Sequence, residues 1–203
     1  MKLFYSKGAC SLVVRIVLNE LNMDFEEEEV DLRSKKTAKG TDFLTINPKG
    51  AVPALMLDSQ QVLTENQVIL QYLADNSPGQ TLLAPIQTLG RYQTLELLNY
   101  ISTELHKSIG LFFNPKFPES EKTNLLLPTI LMKFGFLDAC LSKTPYLSGK
   151  EFTLPDAYLY VMLRWADHFK MDLSQYTHLG QFKARLETYP SVITSLRQEG
   201  LYP

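Results

Sequence analysis

Only two cysteines, Cys10 and Cys140, and three histidines occur among 203 residues. They fall at no recognisable ligand spacing, so neither a metal site of the usual kind nor a disulfide framework is expected. Excess charge of one sign is missing too. Lys and Arg total 20 against 22 Asp and Glu, a formal charge of −2, and the basic residues are scattered. That excludes the basic stripe that nucleic acid or an anionic membrane would need. No apolar run approaches the roughly 18 residues of a spanning helix, and Met1-Lys2-Leu3-Phe4-Tyr5 is too short an apolar start for a signal sequence. A cytoplasmic location is the expectation. Internal repeats, low-complexity tracts, phosphate-binding glycine motifs and a Gly-x-Ser-x-Gly elbow are all absent. What remains is a globular composition, 45% apolar, long enough for one large domain or two small ones; two are expected.

The first of these reads as βαβ followed by ββα. A strand over 2–5 leads through a loop to a helix over 11–21, whose Leu12, Val13, Ile16, Val17 and Leu21 are apolar while Arg15, Asn19 and Glu20 are polar. A second strand covers 25–32, with its run of four glutamates, 26–29, read as a solvated edge. Segments 54–57 and 61–63 flank an Asp58-Ser59-Gln60 turn as a hairpin, and a helix over 66–74 closes the half. The sheet has four strands in this reading.

Pro78-Gly79 and Ala84-Pro85 punctuate the chain, and strand patterning stops beyond them. The expected division is a first domain over 1–80, a linker over 81–86 and an all-helical domain over 87–203. A long helix over 89–109 places Asn99, Thr103 and His106 at i, i+4 and i+7 on one face, a stripe that is ordinarily just solvated. Another helix, over 125–141, is expected to bend or restart at Pro128, and Cys140 on it reads as a small core hydrophobe. Thr153-Leu154-Pro155-Asp156 has the spacing of a capping box before a helix that is apolar almost all round. A last helix pair lies near 179–187 and 191–198.

Two stretches carry chemistry. In Asn47-Pro48-Lys49-Gly50-Ala51-Val52-Pro53-Ala54-Leu55 Pro53 sits at the mouth of a strand, where a proline is tolerated. A cis bond before it would turn the backbone groups of Val52 away from the sheet, toward an extended ligand. Thr64-Glu65-Asn66 then opens a helix whose N-terminal N–H groups favour a carboxylate. From these residues alone an ordinary Pro-Gly loop reads as well. Cys10 lies where a strand hands over to a helix, a setting that stabilises a thiolate; the other reading is a buried, inert cysteine. Cys10-Ser11-Leu12-Val13 lacks the second cysteine of a Cys-x-x-Cys pair, leaving a monothiol that works with an external thiol.

These segments, with Tyr5-Ser6-Lys7-Gly8-Ala9-Cys10-Ser11 and Asn99-Tyr100-Ile101-Ser102-Thr103-Glu104-Leu105-His106, resemble the bacterial beta-class glutathione S-transferases over essentially the whole chain. The resemblance implies a thioredoxin-like domain before the helical one, a homodimer, glutathione as cosubstrate without a further cofactor, and a small hydrophobic electrophile as the second substrate. It implies that Cys10 faces the glutathione sulfur, Val52 pairs with the cysteinyl backbone, Glu65 and Asn66 take the γ-glutamyl end and Lys35 meets the glycyl carboxylate. It further implies that Asn99, Thr103, Glu104 and His106 line the site, Cys10 and His106 being the catalytic pair. Family members often have Pro where this chain has Lys7 and Ser where it has Asn66. The activity expected is conjugation of glutathione to electrophiles, with thiol–disulfide exchange through a Cys10–glutathione mixed disulfide. The rival is a carrier that keeps the fold and sequesters hydrophobic compounds without turnover.

Overall fold

The computed structural model describes every residue except Pro78, Gln80, Thr81 and Pro203. The punctuation expected at Pro78 and the boundary expected between 80 and 81 therefore lie outside the described residues. Two compact units emerge, one of Met1–Gln80 with Tyr189–Pro203 and one of Thr81–Thr188.

The first unit is built on a mixed sheet of β1 (Lys2–Tyr5), β2 (Glu26–Asp31), β3 (Lys36–Thr37), β4 (Ala54–Met56) and β5 (Val62–Thr64), in the order β3-β2-β1-β4-β5. β1 runs parallel to β2 and antiparallel to β4, with Leu3 opposite both Glu27 and Leu55. The sheet has five strands where the sequence suggested four: β3, only two residues long, pairs antiparallel with Val30 and Asp31. Such a strand is too short to show an alternation. It also moves the glutamate run off the edge, since β2 lies between β3 and β1, and Glu28 is buried. Burial pushes the Glu28 carboxyl up, but the Thr37 side chain, Lys2 and Lys39 outweigh it and hold the group below its ordinary value.

Helix α1 (Leu12–Glu20) is buried from Leu12 through Leu18, Arg15 included. Burial on nearly all sides overrides the weak helix propensity of its three valines. α2 (Asn66–Asp75) follows the β4–β5 hairpin. The last helix, α9 (Pro190–Gln198), packs on α1, with Asn19 Nδ2 donating to Ser195 Oγ at 2.8 Å. The expectation that 87–203 forms one helical domain is thus corrected at its end, because the apolar face of α9 is used up against α1.

The second unit is helical: α3 (Leu89–Tyr100), α4 (Lys107–Gly110), α5 (Glu119–Glu121), α6 (Leu127–Leu141), α7 (Leu154–His168) and α8 (Thr177–Glu187). The helix expected over 89–109 is interrupted by a π-helical segment, Ile101–His106. A second π segment, Lys122–Leu126, leads into α6, where Pro128 occupies the tolerant first turn. α7 is the core of the unit, with Leu154 through Leu163 all buried. At its start Asp156 Oδ2 accepts from the Thr153 N–H at 2.8 Å and the Thr153 hydroxyl at 2.6 Å, while Oδ1 accepts from the Leu147 N–H at 2.8 Å. The continuous helical run Glu119–Leu141 is long and apolar enough, by length and composition, to cross a membrane. The sequence reading found no such run because Lys133 and Asp138 interrupt it; both are engaged inside the unit, Lys133 with Glu104 at 2.9 Å and Asp138 with the Leu179 N–H at 2.9 Å.

Candidate active site

In the first unit the loop of residues 47–52 gathers the expected ligand-binding groups. Asn47 holds the loop's shape: it is buried, its Nδ2 donates to Ala51 O at 2.7 Å, its Oδ1 accepts from the Lys49 N–H at 3.2 Å, and its carbonyl accepts from the Gly50 N–H at 2.8 Å. Three contacts then leave the loop. Lys35 Nζ donates to Gly50 O at 2.7 Å, Lys49 Nζ pairs with Glu65 Oε1 at 2.6 Å, and Val52 O accepts from Cys10 Sγ at 3.2 Å. Glu65 is the N-cap of α2 with φ +70°, and the adjacent Asn66, its first residue, is buried. Cys10, Lys35 and Glu65, spread over more than fifty positions of sequence, are tied to one turn, and Asn66 adjoins Glu65.

The Val52-Pro53 bond is cis. Both backbone groups of Val52 were expected to be open to a ligand; the carbonyl instead accepts from the Cys10 thiol. Cys10 itself is half-buried in the turn that opens α1, its carbonyl accepting from the Val13 N–H at 3.2 Å. Ser11 closes this loop from inside, its Oγ donating to Ser6 O and accepting from the Ser6 N–H. Tyr5 is turned to the Arg15 guanidinium, 4.3 Å from its ring centre, and burial raises its phenol, with Glu27 adding to the shift. The Lys7 side chain is exposed, with its ammonium near Gly200.

In the second unit Asn99 and Thr103 are exposed, and the Thr103 hydroxyl donates to Asn99 O at 3.0 Å. Glu104 is exposed and pairs with Lys133. His106 departs from the expected solvated stripe: it is half-buried, with Nδ1 2.6 Å from Tyr158 Oη and its ring edge-on to Trp165 at 5.1 Å. A π-helical turn lies between Asn99 and His106, so the 3.6-residue spacing that aligned them does not hold. Nearby in this unit Phe112, Phe113, Trp165, His168 and Phe169 make an aromatic group, with Phe113 half open to solvent. Cys140 is not a core residue. It lines a cavity of about 450 Å³ with Tyr100, Phe136 and Lys143, and burial raises its thiol.

Sequence reasoning missed Lys49 as the partner of Glu65, and Tyr158 and Trp165 as the setting of His106. The Asn47-Pro48-Lys49-Gly50 turn signal could have pointed to the role of Asn47; nothing local marks the others, which are tertiary contacts. Among the described residues no group of three His, Cys, Asp or Glu side chains could hold a metal ion.

A mixed sheet in the order β3-β2-β1-β4-β5 with a thiol at the start of its first helix, followed by a helical unit, is a thioredoxin-like architecture. The comparisons agree. The family model "Glutathione S-transferase, N-terminal domain" matches residues 8–76, and "Glutathione S-transferase, C-terminal domain" matches 100–190; the chain belongs to the glutathione S-transferases and uses glutathione as cosubstrate. It is 43% identical to glutathione S-transferase GstA of Escherichia coli O157:H7 over 99% of this chain and 100% of that one. Among solved structures it is similar to the bacterial beta-class enzyme of Sphingomonas chungbukensis, at 41% identity and TM-score 0.94, covering 99% of this chain and 100% of that one. A sphingomonad glutathione S-transferase complexed with glutathione is similar at 40% identity and TM-score 0.94, with the same coverage. Conjugation is the activity these likenesses support, and the carrier reading finds no relative among them.

Proposed function

We propose that glutathione lies along residues 47–52, with its sulfur delivered to Cys10. The observation that carries this is the 3.2 Å contact of Cys10 Sγ with Val52 O: the thiol sits on the backbone group that an extended ligand's cysteinyl residue would take over by strand-like pairing. Glu65 and Asn66 then bind the γ-glutamyl end, the carboxylate taking its ammonium and the start of α2 its carboxylate. Lys35 turns from Gly50 O to the glycyl carboxylate. Asn99, Thr103, Glu104 and His106 enter the proposal on the family likeness, His106 as the group that polarises a thiol, its ring held by Tyr158 and Trp165.

Two reactions follow from one binding mode. In conjugation the ionised glutathione sulfur attacks an electrophilic carbon; a new C–S bond forms and the leaving group, or the electrons of the attacked double bond, take up the displaced pair. In exchange, the Cys10 thiolate attacks one sulfur of oxidised glutathione, the S–S bond breaks, and one glutathione leaves as a thiolate that gains a proton. The thiolate of an acceptor thiol then attacks the glutathione sulfur of that mixed disulfide, forming an acceptor–glutathione disulfide and releasing Cys10 as its thiolate. The half-open Phe113 and its aromatic neighbours support a hydrophobic electrophile.

The test is intact mass after incubation with oxidised glutathione, before and after a reductant. Wild type and Cys140→Ala should each gain one glutathione per chain, and Cys10→Ala none, while calorimetry still finds glutathione bound to Cys10→Ala. Uptake by Cys10→Ala would make Cys140 the reacting thiol and remove the proposal. The working form is a homodimer, supported by exposed apolar side chains of the helical unit, Leu89, Tyr92, Met132 and Phe136; a single-chain mass by light scattering at micromolar concentration would refute that. A cytoplasmic place of action fits a glutathione-dependent thiol and two cysteines outside any disulfide, and cell fractionation tests it.

A further inference from the structure

The end of α9 returns to the loop that carries Cys10. Glu199, whose side chain is wholly buried, spends both carboxylate oxygens there: Oε1 accepts from Arg15 Nε at 3.0 Å, and Oε2 accepts from the Gly8 N–H at 2.8 Å. Gly8 stands two residues before Cys10 with φ +69°, and Arg15 lies on α1 five residues after it. Arg15 is itself fully buried, bonded also to the Glu27 carboxylate and, at 3.4 Å, to Gln198 Oε1, and stacked on Tyr5 of β1. The chain turns sharply after α9, with Gly200 at φ +59° and the Leu201 N–H bonded to Leu196 O at 2.8 Å. A methyl group added at Gly8 would lie 3.9 Å from Leu201.

Stability is a poor account of this arrangement. A buried ion pair loses hydration on both sides and is often no better than an apolar replacement, and Arg15 Nη2 is buried without a hydrogen-bond partner among the described residues. What the contact supplies is geometry: one carboxylate fixes the loop before the thiol and the helix after it. We propose that Glu199 is a positioning residue for Cys10, holding the loop through Gly8 and Arg15 so that the thiol meets the glutathione sulfur in line. This rests on Cys10 being the reacting thiol. Burial raises the Glu199 carboxyl while the Gly8 N–H and Arg15 oppose that, so the group sits between two demands that the loop and α1 settle jointly; Glu27 and Tyr5 are the other titratable groups around Arg15.

The test compares Glu199→Ala and Glu199→Gln with the parent, all in a Cys140→Ala background so that one thiol is read. Glu199→Ala should slow mixed-disulfide formation with oxidised glutathione by about tenfold or more, the scale of a small misplacement of reacting atoms. Its rate with iodoacetamide, which needs no fixed approach, should stay within about threefold of the parent. Glu199→Gln keeps an acceptor for the Gly8 N–H and should recover most of the exchange rate. Unchanged exchange in Glu199→Ala, or exchange and alkylation falling by the same factor, would overturn the proposal. If Glu199→Ala does not fold, ¹⁵N-glycine labelling of the parent decides it: the Gly8 amide resonance should move with the Glu199 titration, and a resonance flat with pH overturns the proposal. A parent that reacts with iodoacetamide but not with oxidised glutathione overturns the reading of Cys10 instead, and the Gly8 resonance still tests the contact.

Discussion

Asp156 shows how far one residue's role can be read from spacing and where the reading stops. Its place three residues after Thr153 announces a cap worth about 1 kcal/mol, and the bond to the Thr153 N–H is there. The Leu147 N–H, which also donates to it, is a tertiary contact without a local signal; leaving that buried donor without an acceptor adds roughly 1–3 kcal/mol. Asp156→Ala should therefore cost more than a cap alone, and an unchanged denaturation midpoint would show that the carboxylate is not used. Complete burial pushes the Asp156 pKa from 3.8 to about 6, against the hydrogen bonds that pull it down. A carboxyl raised in this way holds its proton more tightly folded than unfolded. Its contribution to stability is fully present below about pH 4 and is lost as the pH rises through 6, by at most about 3 kcal/mol. Urea titrations at pH 4 and pH 7 should show that component in wild type and not in Asp156→Asn; equal pH dependence in both would dismiss it. The places of Cys10, at a strand–helix junction, and of Glu65, at a helix start, were legible because both are local events. His106 was legible as a residue of interest but not in its surroundings, because a π-helical turn rotates it off the stripe that a regular helix implies.

At the scale of elements, the long periodic helices and the central strands were readable, while β3 and the two π segments were not: a two-residue strand has no period, and a π turn is set by packing. Helix interiors offer a contrast that separates propensity from packing. Gly180 in α8 has nothing within 4 Å of where a Cβ would stand, whereas at Gly135 in α6 that Cβ would lie 3.2 Å from the Tyr176 ring. The ring cannot easily yield, since Tyr176 Oη donates to Leu131 O at 2.6 Å. Gly180→Ala should therefore stabilise by about 0.5–1 kcal/mol, the backbone term alone. Gly135→Ala should forfeit that gain to strain and come out destabilising by about 1 kcal/mol. Denaturation midpoints that shift in the same direction for both variants would show that the Tyr176 contact does not govern Gly135.

At the scale of the whole molecule, two domains and their order were evident from the loss of strand patterning after the prolines, but the allegiance of the last helix was not. The apolar positions of α9, Val192 and Leu196, look like those of any amphipathic helix, and only the buried Arg15, an odd residue in an apolar helix, hinted that a counter-charge must come from elsewhere. One carboxylate partner of Arg15, Glu27, lies 12 residues away, and the other, Glu199, 184. The unit that carries Cys10 is consequently discontinuous along the chain, interrupted by the entire helical unit. During synthesis from the first residue onward, α1 and its nearer carboxylate partner Glu27 emerge early, and the second carboxylate, Glu199, leaves the ribosome only after the helical unit has been made. Maturation of the thiol loop is therefore a late event, and a chain halted before α9 should form the Cys10–glutathione mixed disulfide more slowly than the completed chain does.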